Sequence, residues 1–222
     1  ERVKIVTSDL SIDLLIRDGA FLIDDVKQSF SFNKDPKLEN NENYLRMFLS
    51  HNAPWQTTAV LYKKSSIKNC QFDEKLKRFQ DLSFNITVLS QPERIKIHRD
   101  FKIDYYYRDD KQKVFSPNFI SNMYESFVVF HQVHINLFEN KIYEGDFRRF
   151  NCKIIYQFVM PYFYQNKKVS NRFLFWTISS DMYSFSQKWT LIVLLFVLNI
   201  NLYRIKGIGM YQFRNKIKSF EN

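Results

Sequence analysis

Asp81 and Arg108 are the two charged side chains whose setting in this sequence points to chemistry. Asp81 follows Gln80 at the mouth of an apolar-periodic segment, and Arg108 closes the run Asp104-Tyr105-Tyr106-Tyr107-Arg108 about a helix length downstream. A carboxylate at the positive end of a helix stays ionised and can accept a hydroxyl proton. The same residue can equally be an N-cap or first-turn Asp, a common helix feature. Brought together, such a carboxylate and a cation would serve sugar or phosphate chemistry; apart, Arg108 is a strand-end surface charge.

Several elements have to position them. Val3–Ile23 carries apolar clusters broken by Asp18-Gly19, which predicts two strands around a hairpin turn. Residues 28–43, rich in Asn with Pro36, read as a surface loop. Asn43–Ser50 reads as a short helix and the β-branched Thr57–Tyr62 as a buried strand. Phe79, Leu82, Ile86 and Leu89 step by helical intervals until Pro92. After a polar link, His98-Arg99-Asp100, the period becomes two at Phe101, Ile103, Tyr105 and Tyr107, as in a half-buried strand. Beyond Pro117 the spacing is helical. Phe119, Met123, Phe127, Phe130, His134 and Leu137 mark one face, and Ile154, Ile155, Phe158 and Val159 another, up to Pro161.

Composition bounds the classes. A chain of 222 residues with 45% apolar and 18% aromatic residues buries a sizeable core and is no disordered tail. Four glycines, with no GxGxxG and no GxxxxGK[ST], argue against a complete nucleotide-binding domain. The net charge of +10 is polarised: residues 1–140 hold 20 Lys/Arg against 19 Asp/Glu, and residues 141–222 hold 13 against 4. Cys70 and Cys152 lie far apart and without zinc-ligand spacing, so a reducing cytosol is the default. No charged-then-apolar leader follows Glu1.

Four segments in order, Pro54-Trp55-Gln56-Thr57-Thr58, Phe72-Asp73-Glu74-Lys75-Leu76, Arg78-Phe79-Gln80-Asp81 and Asp104-Tyr105-Tyr106-Tyr107-Arg108, resemble the acceptor half of family-2 glycosyltransferases. The resemblance covers about residues 50–117, and more loosely the rest. It implies an α/β fold, a partial GT-A-like mixed sheet with flanking helices over 1–116, followed by a helical basic region over 117–222. It implies inverting transfer of a sugar from a nucleotide-sugar donor to a glycan or lipid-linked acceptor hydroxyl, with Asp81 as catalytic base. Gln80 stands where the family more often has Glu. Arg108 would lie near the donor diphosphate or the following loop. Trp55 would offer a face to a sugar ring, or pack as a core aromatic.

The resemblance also implies a divalent metal, Mg or Mn, held by an Asp-x-Asp motif in the donor half. No Asp-x-Asp occurs here, and Asp24-Asp25 reads as a turn. Glu1–Ile23 resembles the segment just downstream of that motif. Either the donor half lies outside this sequence or it has been lost.

His131 and His134 lie three apart on a helix with Glu139 beyond, which suits a shared metal only with a further ligand and otherwise suits aromatic packing. Trp189–Tyr203 is the most apolar stretch, and its uninterrupted part, Leu191–Leu198, is well short of the ~20 residues a bilayer needs. It reads as a core helix or as a helix docked on an anionic membrane surface through 188–218. Lys188, Arg204, Lys206, Arg214, Lys216 and Lys218 supply charge for the second reading. The expected location is cytoplasmic, and under the second reading peripheral on the inner membrane face. A non-catalytic surface or scaffold protein is the alternative function. A nucleic-acid binder ranks last, because no RRM, KH or helix-turn-helix signature accompanies the charge.

Overall fold

The computed structural model describes residues 1–28, 40–108, 116, 118–202 and 210–221. The chain divides into two compact units, one of Glu1–Asp73 with Gln80–Val114, the other of Glu74–Phe79 with Phe115–Asn222.

In the first unit, helix α1 (Arg2–Ser8) precedes strand β1 (Leu14–Ile23) and the short β2 (Val26–Lys27). Helix α2 (Asn41–Leu49), β3 (Val60–Tyr62), α3 (Gln80–Leu89) and β4 (Ile97–Arg108) follow. The result is α/β, a mixed four-stranded sheet with flanking helices. Strand β1 is central: β3 runs antiparallel to it at Leu14–Ile16, β2 at Leu22–Ile23, and β4 runs parallel along its length. A strand covered on both faces reads as a continuous apolar run, and Leu14, Leu15 and Ile16 are fully buried.

The expected hairpin at Asp18-Gly19 is overturned. Residues 2–8 are helical, and β1 passes straight through Asp18-Gly19. The turn comes at Asp24-Asp25, both with positive φ (49° and 62°), between the pairs Ile23–Val26 and Leu22–Lys27. This is a two-residue hairpin loop whose left-handed positions Asp tolerates. Gly19 has another task, because a Cβ there would stand 2.2 Å from Cζ of Tyr105.

The expected polar link 98–100 is also strand. Arg17 and Asp18 of β1 face a matching set on β4: the Arg17 guanidinium meets Asp100 at 2.6 Å and Asp104 at 3.3 Å, and Arg99 meets Asp18 at 3.0 Å. Arg17 is only 1% exposed. Register shifts at Arg17/Asp18 and Asp18/Gly19 place extra residues of β4 here, and such bulges re-aim side chains. That moves Phe101 out of the expected half-buried face to an exposed position, while Ile103, Tyr105 and Tyr107 keep theirs. Helix α1 buries no side chain and is held by charge, with Arg2 on Asp104 and on the carbonyl of Thr58, and Lys102 on Glu1.

Helix α2 begins two residues earlier than expected because the Asn40 side chain accepts from the Asn43 N–H and caps it. Its Tyr44, Leu45, Phe48 and Leu49 are buried. The expected strand 57–62 shortens to β3, since Thr57–Ala59 forms a 3-10 turn. Most of the expected loop, residues 29–39, falls outside the described residues.

The second unit is helical: α4 (Phe119–Val133), α5 (Ile135–Phe138), α6 (Glu144–Ile154), α7 (Met160–Tyr162), α8 (Lys167–Ser179), α9 (Phe185–Asn199) and α10 (Met210–Lys218). The α4 stripe behaves as its spacing predicts, with Phe119, Met123, Phe127 and Phe130 buried. Phe127 packs against Phe147, Phe150, Phe173 and Trp176, with ring centroids 4.8–6.0 Å away. Phe79 takes φ 67° and sets its ring against Phe130 and Phe150.

Pro161 does not end its helix, as its position predicted. A wide π turn, Ile155–Val159, comes first and the helical path runs on through Tyr162. Proline lacks an N–H and its ring crowds the carbonyl four residues back, and a widened turn relieves that conflict. His131 and His134 pack among rings: His134 lies 4.9 Å from Phe130, and His131 lies 5.2 Å from Trp176. Burial drives His134 down to about 4 and lowers His131 as well.

Candidate functional site at the start of α3

Asp81 sits in the first turn of α3 with its side chain exposed. The helix end supplies positive potential to a carboxylate there. Beneath it lies a buried polar cluster. Asn85, one turn on and 1% exposed, donates from Nδ2 to the Asp81 carbonyl at 2.7 Å. Its Oδ1 accepts from Trp55 Nε1 at 3.0 Å and from the Tyr62 hydroxyl at 2.8 Å. Three elements therefore converge on one amide: the loop before β3, β3 itself and α3.

The electrostatics follow from burial. Burial pushes the Tyr62 phenol well above its ordinary range. Hydrogen bonding with Trp55 and Asn85 offsets part of that, and the charge of Asp81 adds to it. Tyr62 thus remains a proton donor to Asn85, and the Asp81 carboxylate is near enough to be felt at the phenol. A satisfied network of this kind fixes a backbone segment in one geometry.

Trp55 does not present a ring face to solvent. It is 3% exposed, with Tyr44 and Phe48 against it edge-on at 4.9 and 5.0 Å. The core alternative describes it, and its indole N–H helps hold α3. Gln80 is exposed at the helix's first residue.

Arg108 is not brought to Asp81. It pairs in register with Leu22, whereas Tyr62 pairs with Leu14. Eight strand residues, roughly 26 Å, separate those levels along β1. The Arg108 guanidinium instead meets Asp25 at 3.1 Å, both side chains exposed. The loop that was to lie beside it, residues 109–115, is outside the described residues. A cleft of about 370 Å³ in this unit is lined by Asn40, Tyr44, Arg94, Lys96 and Arg99 among others, and not by Asp81.

Among the described residues no group of three or more His, Cys, Asp or Glu could hold a metal ion. Asp25 of the Asp24-Asp25 turn pairs with the Arg108 guanidinium.

Sequence reasoning missed Asn85 and Tyr62. The available signal was a lone amide on a helix whose neighbours Phe84, Ile86 and Val88 are all buried. A buried polar group needs a partner, and Trp55 and Tyr62 are the donors within reach. No protein-family model, no curated protein and no solved structure matches this chain.

Proposed function

We propose that this chain supplies the acceptor side and catalytic base of an inverting sugar transferase of the GT-A kind. The observation that carries the reading is the placement of Asp81: an exposed carboxylate on a helix end whose carbonyl is fixed by Asn85, itself held by Trp55 and Tyr62. Positioned carboxylates take part in general-base catalysis with gains of about 10²–10⁴. In this role Asp81 accepts the acceptor hydroxyl's proton as the oxygen attacks the anomeric carbon. The nucleoside diphosphate leaves from the opposite face, and the configuration inverts. The donor is a nucleotide-sugar and the acceptor a glycan or lipid-linked hydroxyl. Arg108, well removed along β1, has no part in that proton transfer.

The test is release of nucleoside diphosphate that depends on acceptor, scanned over nucleotide-sugars. Asp81→Asn should remove it while the unfolding midpoint stays within the range of a surface change; unaltered turnover would refute the assignment. If no nucleotide-sugar supports acceptor-dependent release once a donor-binding half is supplied with this chain, the second reading holds, a non-catalytic membrane-surface or scaffold protein. The exposed apolar side chains of α9 favour that second reading.

A further inference from the structure

Helix α9 is apolar on both faces. Leu191, Leu194, Val197 and Leu198 are buried, as a core helix requires. Phe185, Trp189, Ile192, Phe196 and Ile200 recur at intervals of 4, 3, 4 and 4, which places them on one side of the helix. They are exposed, Phe185 at 85%, Trp189 at 59% and Phe196 at 60%. Five large apolar side chains in one exposed row exceed the scattered singles that a folded surface carries without explanation.

The row widens onto α8. Asn171 and Asn199 exchange side-chain hydrogen bonds at 3.1 and 2.9 Å, which fixes the two helices side by side at that level. Phe175, one turn after Asn171, is itself exposed. Lys168 and Arg172 stand on the same side of α8 and are exposed.

Charge selects the occupant. Helices α8, α9 and α10 carry Lys167, Lys168, Arg172, Lys188, Arg214, Lys216 and Lys218, and not one Asp or Glu. The carboxylate nearest to them in chain order is Asp181, 3.9 Å from Lys188. A second copy meeting this face would bring like charge with no carboxylate on these helices to answer it. An anionic phospholipid surface answers both features, since its headgroups attract the cations and its acyl boundary accepts the aromatic row. No helix among the described residues is long and apolar enough to cross a membrane, so the helix lies along the surface.

We propose that α9 docks this protein on anionic phospholipid, with Phe185, Trp189, Ile192 and Phe196 entering the acyl boundary and Lys168, Arg172 and Lys188 at headgroup level. Arg204 and Lys206 lie outside the described residues and are not needed for this arrangement. The docking is independent of the role given to Asp81, so each is tested by its own measurement.

The experiment is co-sedimentation of the full chain with vesicles of phosphatidylglycerol and phosphatidylcholine, against phosphatidylcholine alone. Binding should favour the anionic vesicles and weaken with added salt. The double variant Trp189→Ser/Phe196→Ser should lower the partition coefficient by about tenfold or more, with its circular dichroism unchanged. Lys168→Glu/Arg172→Glu should remove the preference for anionic lipid. Should the serine variant not fold, quenching of the unsubstituted chain's emission by lipids brominated along the acyl chain, lost in Trp189→Phe, reads the same insertion. Equal sedimentation of variant and unsubstituted chain would overturn the proposal, as would absence of quenching. So would a concentration-dependent dimer, without vesicle binding, that Trp189→Ser/Phe196→Ser dissolves, or capture by an acidic protein in place of lipid.

Discussion

The ring of Tyr105 occupies the space in which a side chain at Gly19 would begin. The two residues are partners in the parallel β1–β4 register, and a Cβ on Gly19 would approach three ring atoms at 2.2–2.7 Å. The ring is held from elsewhere too, with the Arg2 guanidinium 5.8 Å from its centroid. Gly19→Ala therefore forces the ring out of this place, and overpacking of this kind costs about 1–3 kcal/mol. Urea unfolding should register that loss. Because the conflict lies in one pair, Tyr105→Ala in the Gly19→Ala background should return part of it, and additive losses would count against the pairing.

The same pair explains what could and could not be read from sequence. Asp18-Gly19 carries the signature of a turn, and the glycine is present for a close approach across strands instead, which depends on a residue 86 positions away. The α4 face was legible because helical burial is local: its periodicity alone names Phe119, Met123, Phe127 and Phe130. Charged residues 18, 99 and 100 looked like turn and linker because each is unfavourable to bury alone, and only the pairing of Arg17 with Asp100 and of Asp18 with Arg99 across β1 and β4 makes strand of them. At the candidate site, Asp81 was visible from its place at a helix start. Asn85 was not, since its importance comes from Trp55 and Tyr62, 30 and 23 residues away.

Arg17 tests the ion cluster. Its guanidinium reaches Asp100 at 2.6 Å, Asp104 at 3.3 Å and Glu1 at 3.4 Å from a nearly sealed position. Arg17→Met leaves those carboxylates facing a buried apolar side chain. The carboxylates left behind are partly solvated, and Asp104 and Glu1 keep Arg2 and Lys102, so the loss should lie at about 1–3 kcal/mol, between a surface pair and a buried one. A loss under about 0.5 kcal/mol, ordinary for a surface site, would mean the cluster is solvated rather than buried.

Asn85 tests whether Asp81 needs a fixed backbone. Asn85→Leu keeps a similar volume but leaves Trp55 Nε1 and the Tyr62 hydroxyl without their shared acceptor. The buried Trp55 donor left unmet costs about 1–3 kcal/mol, with a smaller addition from the half-buried Tyr62 hydroxyl, measurable by thermal or chemical unfolding. Under the proposed sugar transfer, kcat should also drop by about tenfold or more at temperatures where the variant is folded, because the carboxylate loses its orientation. Unchanged kcat with reduced stability would make Asn85 a packing residue only.

His134 sets an acid limit on the second unit. Burial against Phe130 lowers its folded value to about 4, whereas the unfolded chain protonates near the ordinary ~6.5. Above that upper value neither state binds the proton, and the group leaves stability unaffected. As pH falls from ~6.5 towards 4, the unfolded state takes up the proton first and stability declines with it. Below about 4 both states are protonated and the loss levels off, at about 3 kcal/mol in total. His131 shifts in the same direction through its own burial and deepens the slope. Unfolding followed across this pH range should show the decline. His134→Leu should flatten most of it while leaving the alkaline side level, and a variant that retains the full slope would place the titrating group elsewhere.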